Sequence, residues 1–216
     1  MTIQKALTQF LEGRKQNERD ASFDYCYNHF YSFYKKRLSD LANKKNLQMS
    51  CLQLGFYLAS WGMMRGSSFL LKKSIKNYEN LIIKISKMDP KLWEIDADNY
   101  GEENIKVLLN CKNQIEEALG KKNKPSDTLI TKIMLGIFAN VPAYDTYFKN
   151  FLKKNKYCQI FNEKSLLQIK KFYEENKKSF DAFKIRTFDF LTSQETNVFY
   201  TKAKLIDMHG FVNGLS

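Results

Sequence analysis

Asp127-Thr-Leu-Ile-Thr-Lys-Ile-Met-Leu-Gly-Ile-Phe-Ala-Asn-Val-Pro-Ala-Tyr-Asp145-Thr-Tyr-Phe148 decides how this chain folds. Pro125 followed by Ser126 or Asp127 marks a helix start, because those side-chain oxygens accept from the first, otherwise unpaired, backbone N–H groups. Leu129, Ile130, Ile133, Met134, Leu135, Ile137 and Phe138 follow. At ~100° per residue they cover most of the circumference, so the spacing predicts a helix over 127–139 buried nearly all round. Lys132 is its single charge, on a narrow stripe shared with Thr128 and Gly136. Beyond the turn at Asn140-Val-Pro142, Asp145 stands where a second helix, 145–154, begins.

A lone lysine in an apolar helix beside a carboxylate at the next helix start is a candidate catalytic pair. Burial disfavours a lysine's ammonium form, and a free amine attacks carbon electrophiles and forms Schiff bases. A fixed carboxylate stabilises a developing cation or moves protons. The alternative is structural: Lys132 runs out to water along its methylenes, and Asp145 does no more than cap its helix.

Outward from this stretch the whole chain reads helical. The three prolines, Pro90, Pro125 and Pro142, each fall between periodic segments. Helices are expected near 2–18, 22–44, 48–62, 67–88, 102–119, 127–139, 145–154, 162–177 and 198–210. No long two-residue alternation argues for a sheet. The 216 residues, 44% hydrophobic and 14% aromatic, are enough for one substantial core. The expected fold is an all-α, single-domain multi-helix bundle. Joints near 89–101 and 120–126 would divide it, if anything does, into two lobes around a cleft.

Thr131-Lys132 at the head of an apolar helix, and Pro142-Ala-Tyr-Asp145-Thr146 leading into the next, resemble the helix-hairpin-helix DNA glycosylases, especially the 8-oxoguanine-glycosylase-like branch. The resemblance covers about a tenth of the chain. It implies that Lys132 is the nucleophile at the sugar C1′ and that Asp145 supports departure of the base. The Gly-x-Gly hairpin that usually precedes the lysine and grips a DNA phosphate has no counterpart, and Gly120-Lys-Lys-Asn-Lys-Pro-Ser126 stands in its place.

The formal charge of +12 favours polyanions, nucleic acid first, unless it only reflects a lysine-rich composition. Candidate nucleic-acid contacts are Arg65, Ser67 and Ser68 in Ser60-Trp-Gly-Met-Met-Arg-Gly-Ser-Ser-Phe69, where a helix N-terminus beside an arginine would make an anion site. Alternatively, Arg65 closes a buried ion pair with Asp145 or Asp207. Lys121, Lys122 and Lys124 on one side, and Lys153 and Lys154 on the other, would guide phosphates if they share a face with Lys132, and are solvated loops otherwise. Asp207 either orients Lys132 or Arg65, or pairs at the surface with Lys204. His209, beside Gly210, reads as a last-turn histidine meeting helix carbonyls.

Phe23, Tyr27, Phe30, Tyr31, Tyr34 and Leu38 fall on one helix face, which leaves Tyr25 and Phe33 as candidate base-stacking rings. Asp96-Ala-Asp98 reads as a surface loop. Cys26, Cys51, Cys111 and Cys158 lack metal-ligand spacing and read as reduced thiols of a cytoplasmic protein. The run between Lys45 and Lys72 is too polar and glycine-interrupted to span a bilayer. No phosphate-loop, dinucleotide or nucleophile-elbow motif occurs, and no cofactor is called for. The leading expectation is therefore a cytoplasmic glycosylase-like enzyme acting on duplex DNA, in repair or against modified phage DNA. The alternative is a non-catalytic basic helical protein that binds nucleic acid or an acidic partner.

Overall fold

A computed structural model describes residues 1–215. The fold is all-α. Ten helices are described: α1 (Ile3–Glu12), α2 (Ser22–Lys36), α3 (Lys44–Ser60), α4 (Glu79–Ile85), α5 (Glu102–Leu119), α6 (Asp127–Phe138), α7 (Thr146–Lys154), α8 (Glu163–Glu175), α9 (Lys177–Asp181) and α10 (Lys202–Gly214). One antiparallel hairpin, β1 (Arg186–Phe188) with β2 (Glu195–Phe199), precedes α10. One continuous apolar cluster runs from Ile3 to Val212 and ties the helices together.

α6 is the central element, with every residue from Leu129 to Phe138 buried. Ser126 caps it by accepting from Leu129 N. It ends at Ala139, whose φ of 53° is left-handed and whose N–H donates to Leu135 O. α2 and α3 pack on one side of it and α5 on another. Gly136 faces Tyr57 of α3 so closely that a β-carbon would overlap the tyrosine ring. A glycine on the lysine-bearing stripe is thus a packing requirement. α7 lies against α10, where Gly214 meets the Tyr147 carbonyl and Gly210 meets Phe148, leaving no room for a side chain at either glycine.

Several expected helices are shorter. The 2–18 helix stops at Glu12, and the 22–44 helix stops at Lys36 because Arg37 is extended. The 67–88 stretch is not one helix. Extended residues Ser68, Lys73 and Ser74 split it into one-turn 3₁₀ segments at Phe69–Lys72 and Ile75–Tyr78, before α4 begins. The 198–210 helix starts later and runs on to Gly214, because Glu195–Phe199 pairs with Arg186–Phe188 instead.

The hairpin is anchored by Asp24 of α2. Its carboxylate pairs with Arg14 at 2.5 Å and accepts from Phe188 N and from the Tyr200 hydroxyl. No described helix is long and apolar enough to cross a membrane. All four cysteines are free, with Cys26, Cys51 and Cys111 buried and Cys158 half-buried.

Candidate active site

Lys132 is only 4% exposed, yet its ammonium does not point into the core. It reaches the floor of a cleft of about 480 Å³ and lies 3.0 Å from Asp145 Oδ2. The cleft lies where the end of α3, the start of α7 and the end of α10 meet. Trp61, Met63, Met64, Tyr147 and Phe211 form its apolar walls, while Arg19 and Arg65 line it as well. The size suits one small flat ligand.

Asp145 does two things at once. Oδ1 caps α7 by accepting from Phe148 N at 3.0 Å, while Oδ2 faces Lys132. The two readings that the sequence left open, helix cap and partner of the lysine, are therefore both met by one carboxylate.

The approach to Asp145 is held by three side chains. Thr131 Oγ1 accepts from Tyr144 N at 2.8 Å and donates to Asp127 O at 2.6 Å. Thr128 Oγ1 donates to Tyr144 O at 2.7 Å. Asp207 Oδ1 accepts from Ala143 N at 2.9 Å. Fixing the backbone just before a functional carboxylate restricts where its oxygens can go, and such preorganisation is what a catalytic pair needs.

Behind the cleft wall lies a second pair, whose burial the sequence did not disclose. Lys204 is 2% exposed and 3.0 Å from Asp207 Oδ2. The expected Lys204–Asp207 contact exists, but it is buried, because α10 presents both residues inward. The Lys204 ammonium lies 4.5 Å from the centre of the Phe23 ring and 5.7 Å from that of Trp61. Lys132 Nζ and the Arg19 guanidinium lie 5.2 Å and 5.0 Å from the Trp61 centroid, so three cations surround one indole. Such contacts contribute roughly 0.5–2 kcal/mol each, more where water is excluded.

Arg65 pairs with neither Asp145 nor Asp207, since those carboxylates hold Lys132 and Lys204. It is exposed at the cleft and lies over Gly62. Ser67 is exposed and outside the cleft lining. Ser68 spends its hydroxyl internally, donating to Met63 O and accepting from Leu70 N, at the start of a single 3₁₀ turn. The expected helix N-terminus for an anion is therefore reduced to one turn.

Lys121, Lys122 and Lys124 sit on the exposed turn after α5, where Lys121 faces Glu117 at 3.5 Å. Lys153 and Lys154 end α7, and Lys154 donates to Asn213 O. None of these five lysines lines the cleft.

Other expectations resolve into packing. Tyr25 donates to Gln16 O and meets Phe190 edge-on, while Phe33 packs against His29. Asp96 is not a surface-loop residue, because it accepts from Lys202 N and Ala203 N at the start of α10, and burial raises its carboxyl above the ordinary value. His209 is not in the last turn. It is buried among Phe151, Phe172 and Phe180, and that desolvation lowers its imidazole to about 4. Among the described residues no three His, Cys, Asp or Glu side chains converge as a metal site.

The sequence missed Arg19, Trp61, Tyr147 and Phe211 as cleft residues. Only Trp61, next to Gly62 in a block already singled out for Arg65, carried a local signal. The chain matches no protein-family model, no curated protein and no solved structure.

Proposed function

We propose that the cleft is the active site of a DNA-glycosylase-like enzyme, with Lys132 as nucleophile and Asp145 as its electrostatic partner. One observation carries this reading: a buried lysine whose only ion-pair partner among the described residues is a helix-capping carboxylate, with both groups lining an aromatic-walled cleft. A structural lysine would gain more by reaching water. The aromatic and methionine walls suit a flat heterocycle, and the charge of +12 suits a nucleic-acid strand.

In this reading a base leaves the duplex and its nucleoside enters the cleft. Lys132 Nζ forms a bond to C1′ as the C1′–N bond to the base breaks, and that bond's electrons leave with the base. The proton that Nζ gives up goes to the departing base. Asp145 remains a carboxylate and balances the positive charge that builds on the sugar and then on the bonded nitrogen. Ring opening yields an iminium, which water hydrolyses to return the lysine. Repair or restriction of modified foreign DNA would both use this chemistry.

Borohydride trapping tests it. A duplex carrying one abasic site is mixed with the protein, reduced, and resolved from free protein. A covalent adduct is expected with the native chain and with Asp145→Asn at a reduced rate, and none with Lys132→Ala. Adduct formation undiminished in Lys132→Ala would overturn the assignment. Salt-sensitive duplex binding, with no adduct and no effect of the substitution, would favour a non-catalytic nucleic-acid-binding protein.

A further inference from the structure

The cleft is lined by three cationic side chains, Arg19, Arg65 and Lys132, and one carboxylate, Asp145. Lys132 already engages that carboxylate, so the two guanidiniums are left without a counter-charge inside the cleft. The Arg65 side chain makes no hydrogen bond or ion pair among the described residues. It lies against the Gly62 backbone. Gly62 has a φ of +74°, and a β-carbon there would come within 2.7 Å of Arg65 Nε and 2.9 Å of Cζ, so the absence of a side chain lets the guanidinium lie along the backbone.

Arg19 has weak partners of its own. Its side chain is 57% exposed and lies 3.5 Å from Asp20 Oδ1, an oxygen that accepts no hydrogen bond. Its guanidinium rests on Trp61, the same indole that carries Lys132 Nζ on the cleft floor.

Two under-used guanidiniums beside a concave site, one lying against Gly62 and the other on Trp61, are suited to a tetrahedral oxyanion, which each can meet with two parallel N–H donors. We infer that Arg19 and Arg65 form a phosphate clamp at the cleft, which takes a phosphate carried by the same sugar whose C1′ meets Lys132. The clamp supplies the backbone anchoring that Gly120–Ser126, away from the cleft, does not. Phosphate contacts of this kind fix register without reading sequence. The identity of the sugar rests on the proposed reaction, while the anion site rests on the two arginines alone.

Small aldehydes separate the two ideas. The open-chain form of 2-deoxyribose, with or without a 5-phosphate, offers C1 to Lys132, and borohydride fixes any adduct for intact-mass measurement. A charged hydrogen bond is worth about 1.5–3 kcal/mol, so the phosphorylated sugar is expected to react roughly tenfold faster or more. In Arg19→Ala/Arg65→Ala that ratio should fall close to one. Tryptophan fluorescence, titrated with 2-deoxyribose 5-phosphate and no borohydride, reads binding without chemistry, because Arg19 lies on Trp61. A saturable change is expected in the native chain and in Lys132→Ala, and not in the double variant. A phosphate-dependent signal without any lysine adduct would sustain the clamp and remove the glycosylase reading. Equal trapping of both sugars with no fluorescence response would remove the clamp and leave the reaction standing.

Discussion

Lys132 and Asp145 differ in how much each depends on the other. The lysine side chain is 5% exposed and has one carboxylate partner, whereas Asp145 is 15% exposed and keeps the Phe148 N–H when the lysine is gone. Removing one partner of a buried pair costs most when the survivor is the more deeply buried charge. Asp145→Ala, which also deletes the α7 cap, is therefore expected to cost about 3–5 kcal/mol. Lys132→Met, which replaces a buried stem with one of similar length, should cost about half of that or less, since it leaves a carboxylate that is still hydrogen-bonded and partly hydrated. Urea unfolding of the two variants checks the order. Equal losses would mean that the lysine already shares its charge with water. This pair was legible in the sequence because a single charge in an otherwise apolar helix is conspicuous, and Asp145 stood at a recognisable cap position. The burial of the Lys204–Asp207 pair was not, because α10 carries Lys202, Lys204 and Asp207 in a pattern that reads equally well as a solvated face. Only the tertiary placement of that helix buries the pair.

At the scale of elements, the site depends on the turn between α6 and α7. Thr131 is the hinge pin of that turn, because its one hydroxyl accepts from Tyr144 N and donates to Asp127 O. Thr131→Val keeps the shape and removes both bonds, which leaves a buried backbone N–H without a partner. A loss of about 1–3 kcal/mol is expected. Trapping by Lys132 should slow as well, since Tyr144 immediately precedes Asp145. Loss of stability at an unchanged trapping rate would show that the turn's geometry does not set the carboxylate. The sequence marked this turn through Asn140, Val141 and Pro142 but gave no sign that threonines on α6 would clasp it. Elements with long apolar faces, α5, α6 and α8, the last two with side-chain N-caps, came out close to their expected bounds. The 67–88 segment did not. Its hydrophobic spacing continues across Ser68, Lys73 and Ser74, whose extended backbones interrupt the helix without a trace in the periodicity. The β1–β2 hairpin was missed for a related reason. Glu195–Phe199 does alternate in burial, but over only five residues, and its partner Arg186–Phe188 is shorter still.

For the molecule as a whole, acid is the revealing variable, because both histidines are held neutral by the fold. Burial lowers His29 to about 4, and His209 to about 4 with a smaller contribution from the N-terminal amine. In the unfolded chain an imidazole takes a proton near pH 6.5. Between that value and about 4 the unfolded state therefore binds protons that the native state refuses, so stability falls as pH drops through this window and is unaffected above it. The His209 shift corresponds to about 3 kcal/mol at one pKa unit per 1.36 kcal/mol. Asp20, Asp24 and Asp96 act in the opposite sense, since burial raises each of them and the folded state protonates them first. The net acid response of the native chain mixes the two kinds of group, and comparison with His209→Gln isolates the histidine. The native protein should lose more stability between pH 7.5 and 4.5 than the variant, by about 2.5 kcal/mol in urea unfolding, because the full effect is reached only below about pH 4. The sign follows from where His209 sits. Three phenylalanine rings surround it, and among the described residues no carboxylate pairs with it to compensate a charge there. An equal pH response in the two proteins would mean that water reaches the imidazole, and the packing of α7, α8 and α10 around it would then have to be looser than their contacts imply.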